Sequence, residues 1–198
     1  MIYRYLNINE LNIEEISKKV SKERIDRAAK LKHETDRKRS ISVEYLLNEM
    51  IKETYPEIKT PVILSYDEKG KPHLNDDSIY FSLSHSGDYV ACIISDKPCG
   101  IDIERHSDRR EYEKIAKRIC TDREILQIQN KEDFYSFWTL KESALKAVGL
   151  GLALDMKKAE FIPDTADSFS AYIDGTIYSG KVIESPEGYS LSYVEMID

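Results

Sequence analysis

Hydrophobic residues follow two different spacings along the chain, and the first part of the sequence shows both. Residues 1–8 alternate between apolar and polar positions, which predicts a β-strand, and polar helical stretches follow over residues 9–31. Residues 33–55 carry apolar side chains at helical spacing, and Pro56 provides a stop signal. The pattern therefore predicts a strand, a helical region and one long helix.

Short apolar runs separated by turn residues indicate strands in the next part of the chain. Residues 61–66, 79–84 and 89–95 have this character. The link over residues 85–88 contains Gly87, whose backbone freedom permits a hairpin-like turn. We expect the two later runs to pair as antiparallel strands.

The second part of the chain repeats the order of strand, helices and strands. A strand in which acidic and apolar residues alternate covers residues 99–104, and residues 158–196 return to a strand pattern. Three helical stretches lie between them, the last ended by the glycine signals Gly149 and Gly151, over residues 108–120, 122–129 and 133–148.

Two successive batches of strands and helices predict an α+β protein. We expect two similar-sized halves, residues 1–100 and residues 101–198, each with an antiparallel sheet packed against helices. The junction lies near residues 98–104.

Composition narrows the class of protein. The chain has 198 residues, of which 41% are hydrophobic and 33% are charged. It is therefore long enough to bury a hydrophobic core without disulfide bonds or structural metal ions. It has no candidate membrane span and no secretory signal at its start, so we expect a cytoplasmic location. Cys92, Cys99 and Cys120 lie in apolar surroundings and form no Cys-x-x-Cys pair, which predicts reduced structural thiols.

The charge distribution points to a small anionic ligand. A net charge of −7 argues against a protein that coats nucleic acid. Residues 18–39 are nevertheless rich in lysine and arginine, and a local basic surface suits a small polyanion. Arg24 and Arg27 share a helical face and Arg39 follows in the next helix, so they form either a phosphate clamp or a solvated basic surface.

Acidic residues with metal-binding chemistry occur in the strand and in the last helix. Asp102 and Glu104 point to the same face of a strand, so their carboxylates can converge on one ion. Glu142 would add a third oxygen donor, and such a hard set suits Mg²⁺. The alternative is a solvated strand face with unconnected charges.

Lys146 lies one helical turn beyond Glu142. It can neutralise a phosphate or a departing oxyanion, or it can form an ordinary surface Glu–Lys pair. His85, beside the hydroxyl of Ser84, can meet an anion or can be a merely exposed turn residue. Lys71 is either a ligand contact or a turn lysine.

Four blocks of sequence stand out when taken in order. They are Gly70-Lys71-Pro72, Phe81-Ser82-Leu83-Ser84-His85-Ser86, Gly100-Ile101-Asp102-Ile103-Glu104 and Phe137-Trp138-Thr139-Leu140-Lys141-Glu142-Ser143-Ala144-Leu145-Lys146. Together they resemble the signatures of the 4'-phosphopantetheinyl transferases, and they match the single-chain, surfactin-type branch most closely. The run Gly149-Leu150-Gly151-Leu152 is similar to the family's continuation after the lysine.

The resemblance implies a fold and a reaction. The fold is a pseudo-dimer of two α+β halves with coenzyme A bound between them. The reaction moves the phosphopantetheine arm of coenzyme A to a serine of an acyl, peptidyl or aryl carrier protein and releases adenosine 3',5'-bisphosphate. Because one chain supplies both halves, we expect a monomer. The net charge and the lack of a membrane span predict no nucleic acid and no membrane as partner.

The resemblance also implies roles at the reacting centre. Asp102, Glu104 and Glu142 would bind Mg²⁺, and Lys146 would contact the α-phosphate and the leaving group. Glu124 lies where some relatives carry a glutamate proposed to deprotonate the carrier serine, and a metal-bound water is the alternative.

The remaining implied roles concern coenzyme A and the carrier. Residues that would contact coenzyme A are Arg24, Arg27, Arg39, Gly70, Lys71, Pro72, Ser84, His85 and Lys146. Carrier proteins are usually acidic, so we predict a docking surface over residues 121–129 that includes the apolar Ile125, Leu126 and Ile128.

Two other functions fit the same residues. One is a Mg²⁺-dependent pyrophosphate hydrolase or phosphotransferase acting on a nucleotide-like substrate. The other is a non-catalytic protein that binds coenzyme A or a carrier, which the complete set Asp102, Glu104, Glu142 and Lys146 disfavours.

Overall fold

A computed structural model describes residues 1–68, 70–74, 78–108, 111–149 and 155–197. The α-helices in these ranges are α1 (Ile13–Ile16), α2 (Lys22–Ala29), α3 (Glu34–Thr54), α4 (Tyr112–Ile119), α5 (Asp122–Ile125) and α6 (Lys131–Val148). The strands are β1 (Ile2–Asn7), β2 (Ser65–Tyr66), β3 (Pro72–His73), β4 (Tyr80–Ser86), β5 (Tyr89–Ser95), β6 (Cys99–Arg105), β7 (Ile162–Pro163), β8 (Ser168–Ile173), β9 (Thr176–Ile183) and β10 (Tyr189–Met196).

The first half packs a small antiparallel sheet against the long helix α3. Its strands lie in the order β1-β5-β4. Ile94 of the central strand β5 pairs with Ile2 of β1 on one side and with Phe81 of β4 on the other. Alternate residues of β5 face α3, where they join a core that includes Leu47, Met50 and Ile51 of the helix. This apolar face supplies the burial that holds α3 on the sheet.

The second half repeats this arrangement with a larger sheet and helix α6. The strand order is β6-β10-β9-β8-β7, and every neighbouring pair is antiparallel. Phe134, Phe137 and Leu140 of α6 are buried against Phe161, Phe169 and other residues of this half. The predicted α+β fold of two similar halves is therefore confirmed. The division at residue 100 stays a prediction, because β6 contacts both halves.

Serine hydroxyls join the two sheets where β4 runs beside β6. Ser82, Ser84 and Ser86 occupy alternate positions of β4, and their Oγ atoms accept hydrogen bonds from the backbone N–H groups of Ile101, Ile103 and Arg105 at 3.2, 3.3 and 3.1 Å. Unpaired N–H groups on a strand edge are costly when buried. The serines satisfy these groups and set β4 and β6 in register.

Close packing of α6 on β6 depends on Gly100. A Cβ atom at this position would overlap the carbonyl oxygen of Ser143 and lie 2.8 Å from the backbone nitrogen of Ala147. Only glycine permits this approach of helix to strand. The contact places the last two turns of α6 directly over the strand that carries Asp102 and Glu104.

Several boundaries differ from the sequence-based predictions. Strand β4 continues to Ser86, so His85 lies in a strand and only Gly87 and Asp88 form the turn, Gly87 with a positive φ of 54°. The predicted strand over residues 61–66 is limited to Ser65–Tyr66.

The helix predicted over residues 122–129 ends at Ile125. Helix α6 ends as predicted, with Gly149 in the left-handed conformation at a φ of 75°. Gly151 and the run over residues 150–152 lie outside the described residues. Within the described ranges, no helix has both the length and the apolar composition needed to cross a bilayer.

We predict that Gly100→Ala lowers the free energy of unfolding by about 3 kcal/mol, because the added methyl group forces α6 away from β6. Urea denaturation followed by circular dichroism measures the loss. Gly188→Ala is the control. Its added Cβ meets nothing within 4 Å, so its cost comes from its φ of 77° alone, about 1–2 kcal/mol. Equal losses in the two variants would contradict the packing role of Gly100.

Candidate active site

The centre of the candidate site is an ion pair between α6 and β6. Lys146 Nζ lies 2.7 Å from Asp102 Oδ1 and donates a second hydrogen bond to the carbonyl oxygen of Ile101 at 2.9 Å. Asp102 is 7% exposed. The surface Glu142–Lys146 pair that the helical spacing allowed is therefore replaced by a partly enclosed pair that joins the helix to the strand.

A third group also holds Asp102 in place. Ser84 Oγ in β4 donates a hydrogen bond to Asp102 Oδ1 at 2.7 Å, so this oxygen accepts from both halves of the molecule. Ser84 is buried, with 6% of its surface exposed. Two donors on one carboxylate oxygen fix the orientation of the side chain.

Glu142 borders the same site from α6. Burial raises the pKa of its carboxyl group, the negative charges of Asp102 and Glu104 raise it further, and Lys146 opposes them. The acidic residues thus act on one another electrostatically. Among the residues that the structure describes, however, no three His, Cys, Asp or Glu side chains are grouped so that they could hold a metal ion.

A cavity of about 300 Å³ lies beside the ion pair and between the two halves. Three structural parts form its wall, namely the β2–β3 turn, strand β4 and the end of α6. Its lining residues are Gly70, Lys71, Pro72, Phe81, Ser82, Leu83, Glu142, Leu145, Lys146 and Gly149. The predicted Gly70-Lys71-Pro72 block and the end of α6 are therefore brought together around one space.

Lys71 contacts α6 directly. Its Nζ donates a hydrogen bond to the carbonyl oxygen of Lys146 at 2.6 Å, and burial lowers the pKa of its ammonium group. Carbonyl groups in the last turn of a helix lack intrahelical donors, so a lysine is a favourable partner there. The turn that carries Lys71 is thereby attached to the end of α6.

His85 and Arg39 lie close together at the end of β4. His85 has an exposed surface, yet the protein atoms around its ring, and then the charges of Arg39 and Lys146, lower its pKa. Arg39 Nη1 donates to the carbonyl oxygen of Gly87 at 3.0 Å, and Nη2 pairs with Asp36. Arg39 Nε is buried without a hydrogen-bond partner in the described part of the chain.

The structure separates the roles of Arg24 and Arg27. Arg24 Nε lies 2.7 Å from Glu44 Oε2, and Glu44 is 1% exposed, so this arginine is committed to a buried ion pair. Arg27 is an exposed residue, and its guanidinium carbon lies 3.7 Å from the centre of the Tyr66 ring. Arg27 is thus the more accessible of the two for an anion.

Comparisons with known proteins show the family of this chain. Residues 98–194 match the family model described as "4'-phosphopantetheinyl transferase superfamily", and residues 9–97 match "4'-phosphopantetheinyl transferase, N-terminal". This chain belongs to the 4'-phosphopantetheinyl transferase superfamily. The family predicted from the four sequence blocks is confirmed, and so is the classification as an enzyme.

Individual relatives point to the same branch. The 4'-phosphopantetheinyl transferase Sfp of Bacillus subtilis is 30% identical over 185 residues, which cover 89% of this chain and 75% of the relative. The 4'-phosphopantetheinyl transferase gsp of Aneurinibacillus migulanus is 34% identical over 143 residues, which cover 69% of this chain and 59% of the relative. These relatives support the predicted surfactin-type branch.

One solved structure aligns with part of the chain. The crystal structure of Thermotoga maritima holo-[acyl-carrier-protein] synthase (AcpS) has a TM-score of 0.41 and 24% identity, and the alignment covers 50% of this chain and 62% of that chain.

Glu124 lies in a fully buried network in this transferase. Its Oε2 accepts hydrogen bonds from Lys141 Nζ and from the backbone N–H of Thr121, both at 2.7 Å, and its Oε1 accepts from the backbone N–H of Phe161 at 2.8 Å. Glu124 and Lys141 are both 0% exposed. Its role as general base stays a prediction, but in this arrangement both oxygens are occupied and enclosed.

Lys141 is the partner that sequence reasoning missed. Its Nζ also donates to the carbonyl oxygens of Met156 and Ala159 at 3.0 and 2.9 Å, so all three of its protons are used. A signal was present, because Phe134, Phe137 and Ala144 place Lys141 on the apolar stripe of α6. A charged residue on such a stripe needs a buried partner.

We predict that Lys141→Met lowers the free energy of unfolding by about 3–5 kcal/mol, because it leaves Glu124 charged and buried without its partner. The double variant Glu124→Leu/Lys141→Met should lose less than the sum of the single losses, measured by urea denaturation. Lys114→Met, which removes an exposed pair with Glu111, is the control and should cost less than about 1 kcal/mol. If instead Glu124→Gln abolished turnover and left the free energy of unfolding unchanged, a catalytic role of Glu124 would be favoured.

Proposed function

We propose that this chain transfers the 4'-phosphopantetheine group of coenzyme A to a serine of an apo carrier protein and releases adenosine 3',5'-bisphosphate in a Mg²⁺-dependent reaction. The observation that carries the proposal is the cavity between the halves, where the Gly70-Lys71-Pro72 turn meets Glu142 and Lys146. Family membership supports the transfer itself, and the charges around the cavity suit a pyrophosphate.

The reaction breaks a bond within the pyrophosphate of coenzyme A. The serine oxygen of the carrier attacks the phosphorus that bears pantetheine, and the bridging oxygen leaves with the nucleotide. Lys146 is suited to stabilise the leaving phosphate, because it lines the cavity and Asp102 and the carbonyl oxygen of Ile101 hold its ammonium there. The serine proton must pass to an acceptor, and Glu124 could serve only if its buried network opened.

Asp102, Glu104 and Glu142 are the residues that would hold Mg²⁺. Their oxygens are the hard donors that this ion prefers. A bound cation would oppose both the burial and the repulsion from Asp102 and Glu104 that raise the pKa of Glu142. In the described residues these three carboxylates are not grouped so that they could hold a metal ion. Their side chains would therefore have to move before Mg²⁺ could bind. When bound, the ion supplies positive charge against the pyrophosphate.

Basic side chains outside the cavity lining would contact the phosphates of coenzyme A. His85 and Arg39 lie together, and the guanidinium of the exposed residue Arg27 stacks on Tyr66. Arg24 and Lys71 contribute chiefly by holding other parts of the site, since Glu44 and the end of α6 engage them. A cytoplasmic location and a monomeric state, both predicted from the sequence, complete the proposal.

We propose that the carrier protein docks at Leu126. It is 77% exposed directly after α5, whereas Ile125 and Ile128 pack partly against the core of the second half. The predicted apolar surface over residues 121–129 is therefore reduced to Leu126. An exposed leucine of this size suits an apolar contact with a helical partner.

We predict that incubation with coenzyme A, Mg²⁺ and an apo carrier protein adds one phosphopantetheine group to the carrier, detected by mass spectrometry. Asp102→Ala should lower turnover by at least about 100-fold with an unchanged circular dichroism spectrum, because Lys146 and the metal both lose a partner. Glu10→Ala is the control, because Glu10 is exposed and distant from Asp102 in the sequence, and it should keep full activity.

Two results would contradict the proposal. Cleavage of coenzyme A without modification of any of several carriers would favour the hydrolase alternative. Binding of coenzyme A with neither cleavage nor transfer would favour a non-catalytic binding protein.

We predict that Leu126→Glu raises the KM for the carrier by about tenfold and leaves kcat and the KM for coenzyme A unchanged, since an added negative charge repels an acidic partner. Tyr172→Glu, a change at another exposed apolar residue on β8, is the control. Steady-state kinetics with varied carrier measures both variants. Equal effects of the two variants would contradict docking at Leu126.

A further inference from the structure

An acidic side chain lies among the basic residues at the end of β4. Asp36, in the first turn of α3, pairs with Nη2 of Arg39, and 36% of its side chain is exposed. Arg39 Nη1 donates to the carbonyl oxygen of Gly87, in the turn that follows β4, at 3.0 Å. The carboxylate of Asp36 therefore contacts a guanidinium that the proposed function assigns to a phosphate.

Asp36 also acts on His85 through space. The hydrogen bond from Arg39 is the main cause that lowers the pKa of Asp36, and the charge of His85 lowers it further. Burial lowers the pKa of His85 most, Arg39 lowers it further, and the charge of Asp36 raises it. Asp36 is therefore ionised at neutral pH, and its negative charge acts on both basic groups.

The donors of Arg39 are largely committed to the protein itself. Nη2 serves Asp36 and Nη1 serves Gly87, while Nε is buried and has no hydrogen-bond partner in the described part of the chain. A phosphate binds a guanidinium most strongly through two parallel hydrogen bonds along one edge, and both accessible edges include Nη2. A phosphate on either edge would therefore lie close to the carboxylate of Asp36.

The phosphate that meets this carboxylate is the 3'-phosphate of coenzyme A, because the proposed function assigns the pyrophosphate to Lys146 in the cavity. A phosphate monoester carries close to two negative charges at neutral pH. Its attraction to Arg39 is thus opposed by repulsion from Asp36, and it must displace this carboxylate or bind beside it.

We propose that Asp36 is a specificity-determining residue, an internal anion that competes with the 3'-phosphate for Arg39 and so weakens the binding of coenzyme A. The inference rests on the proposed function, in which Arg39 and His85 contact phosphate. The product adenosine 3',5'-bisphosphate carries the same phosphate, so the competition also weakens product binding and favours product release.

The test is isothermal titration calorimetry of the full chain in EDTA, with coenzyme A, 3'-dephospho-coenzyme A and adenosine 3',5'-bisphosphate as ligands. Asp36→Asn keeps the shape of the side chain and removes its charge. It should bind coenzyme A and the bisphosphate about three- to tenfold more tightly, the effect of one like charge at a few ångströms in a partly solvated site. Affinity for 3'-dephospho-coenzyme A should change less than about twofold.

Glu34→Gln is the matched control, since it removes one negative charge from the same turn of α3. Glu34 pairs with Lys38 at 3.1 Å and its side chain is 78% exposed, so this variant should leave all three affinities within about twofold. The gain in Asp36→Asn should shrink at high salt, because screening weakens a charge effect and leaves a change of shape untouched. Circular dichroism and thermal melting establish that each variant is folded.

The outcomes separate the inference from the function on which it rests. Unchanged coenzyme A affinity in Asp36→Asn, or an equal gain in Glu34→Gln or with 3'-dephospho-coenzyme A, would overturn the competition. Weaker binding in Asp36→Asn would overturn it too, and would make Asp36 a residue that orients Arg39 for the ligand. If the unchanged protein bound coenzyme A and its 3'-dephospho form equally, the phosphate contact in the proposed function would itself be rejected.

Discussion

The close contact between α6 and β6 at Gly100 is the constraint on which the rest of the site depends. Because glycine lets the helix backbone approach the strand, Lys146 reaches both the carbonyl oxygen of Ile101 and the carboxylate of Asp102. A helix held farther away would leave this ammonium short of the strand. Packing between two backbone segments thus determines the position of the charged groups.

The first half of the chain contributes to the same site through two short connections. Lys71 attaches the β2–β3 turn to the last turn of α6, and Ser84 attaches β4 to Asp102. Both connections end on groups of the second half, so neither half contains the complete site. Because each half supplies part of the site, the cavity lies between the halves, and β4 and β6 must stay in register.

Buried ion pairs distinguish structural charges from accessible ones. Arg24 pairs with Glu44, and Lys141 pairs with Glu124, each with little or no exposure. The cost of removing a charge from water is offset here by the ion pairs and by hydrogen bonds to neighbouring groups. By contrast, Arg27 is exposed, and Lys146 lines the cavity although it pairs with Asp102.

The sequence by itself determined the α+β class, the long helices and the family, because periodicity and ordered motifs are local properties of the chain. It also placed Gly149 at the end of α6 and brought Asp102, Glu142 and Lys146 into one hypothesis. Only the tertiary structure decided which charges pair. It assigned Lys146 to Asp102, enclosed Glu124 with Lys141, and gave the proton of Ser84 to Asp102. These partners are separated by 17 to 44 positions in the chain, so their choice depends on how helices and strands pack and not on any local pattern.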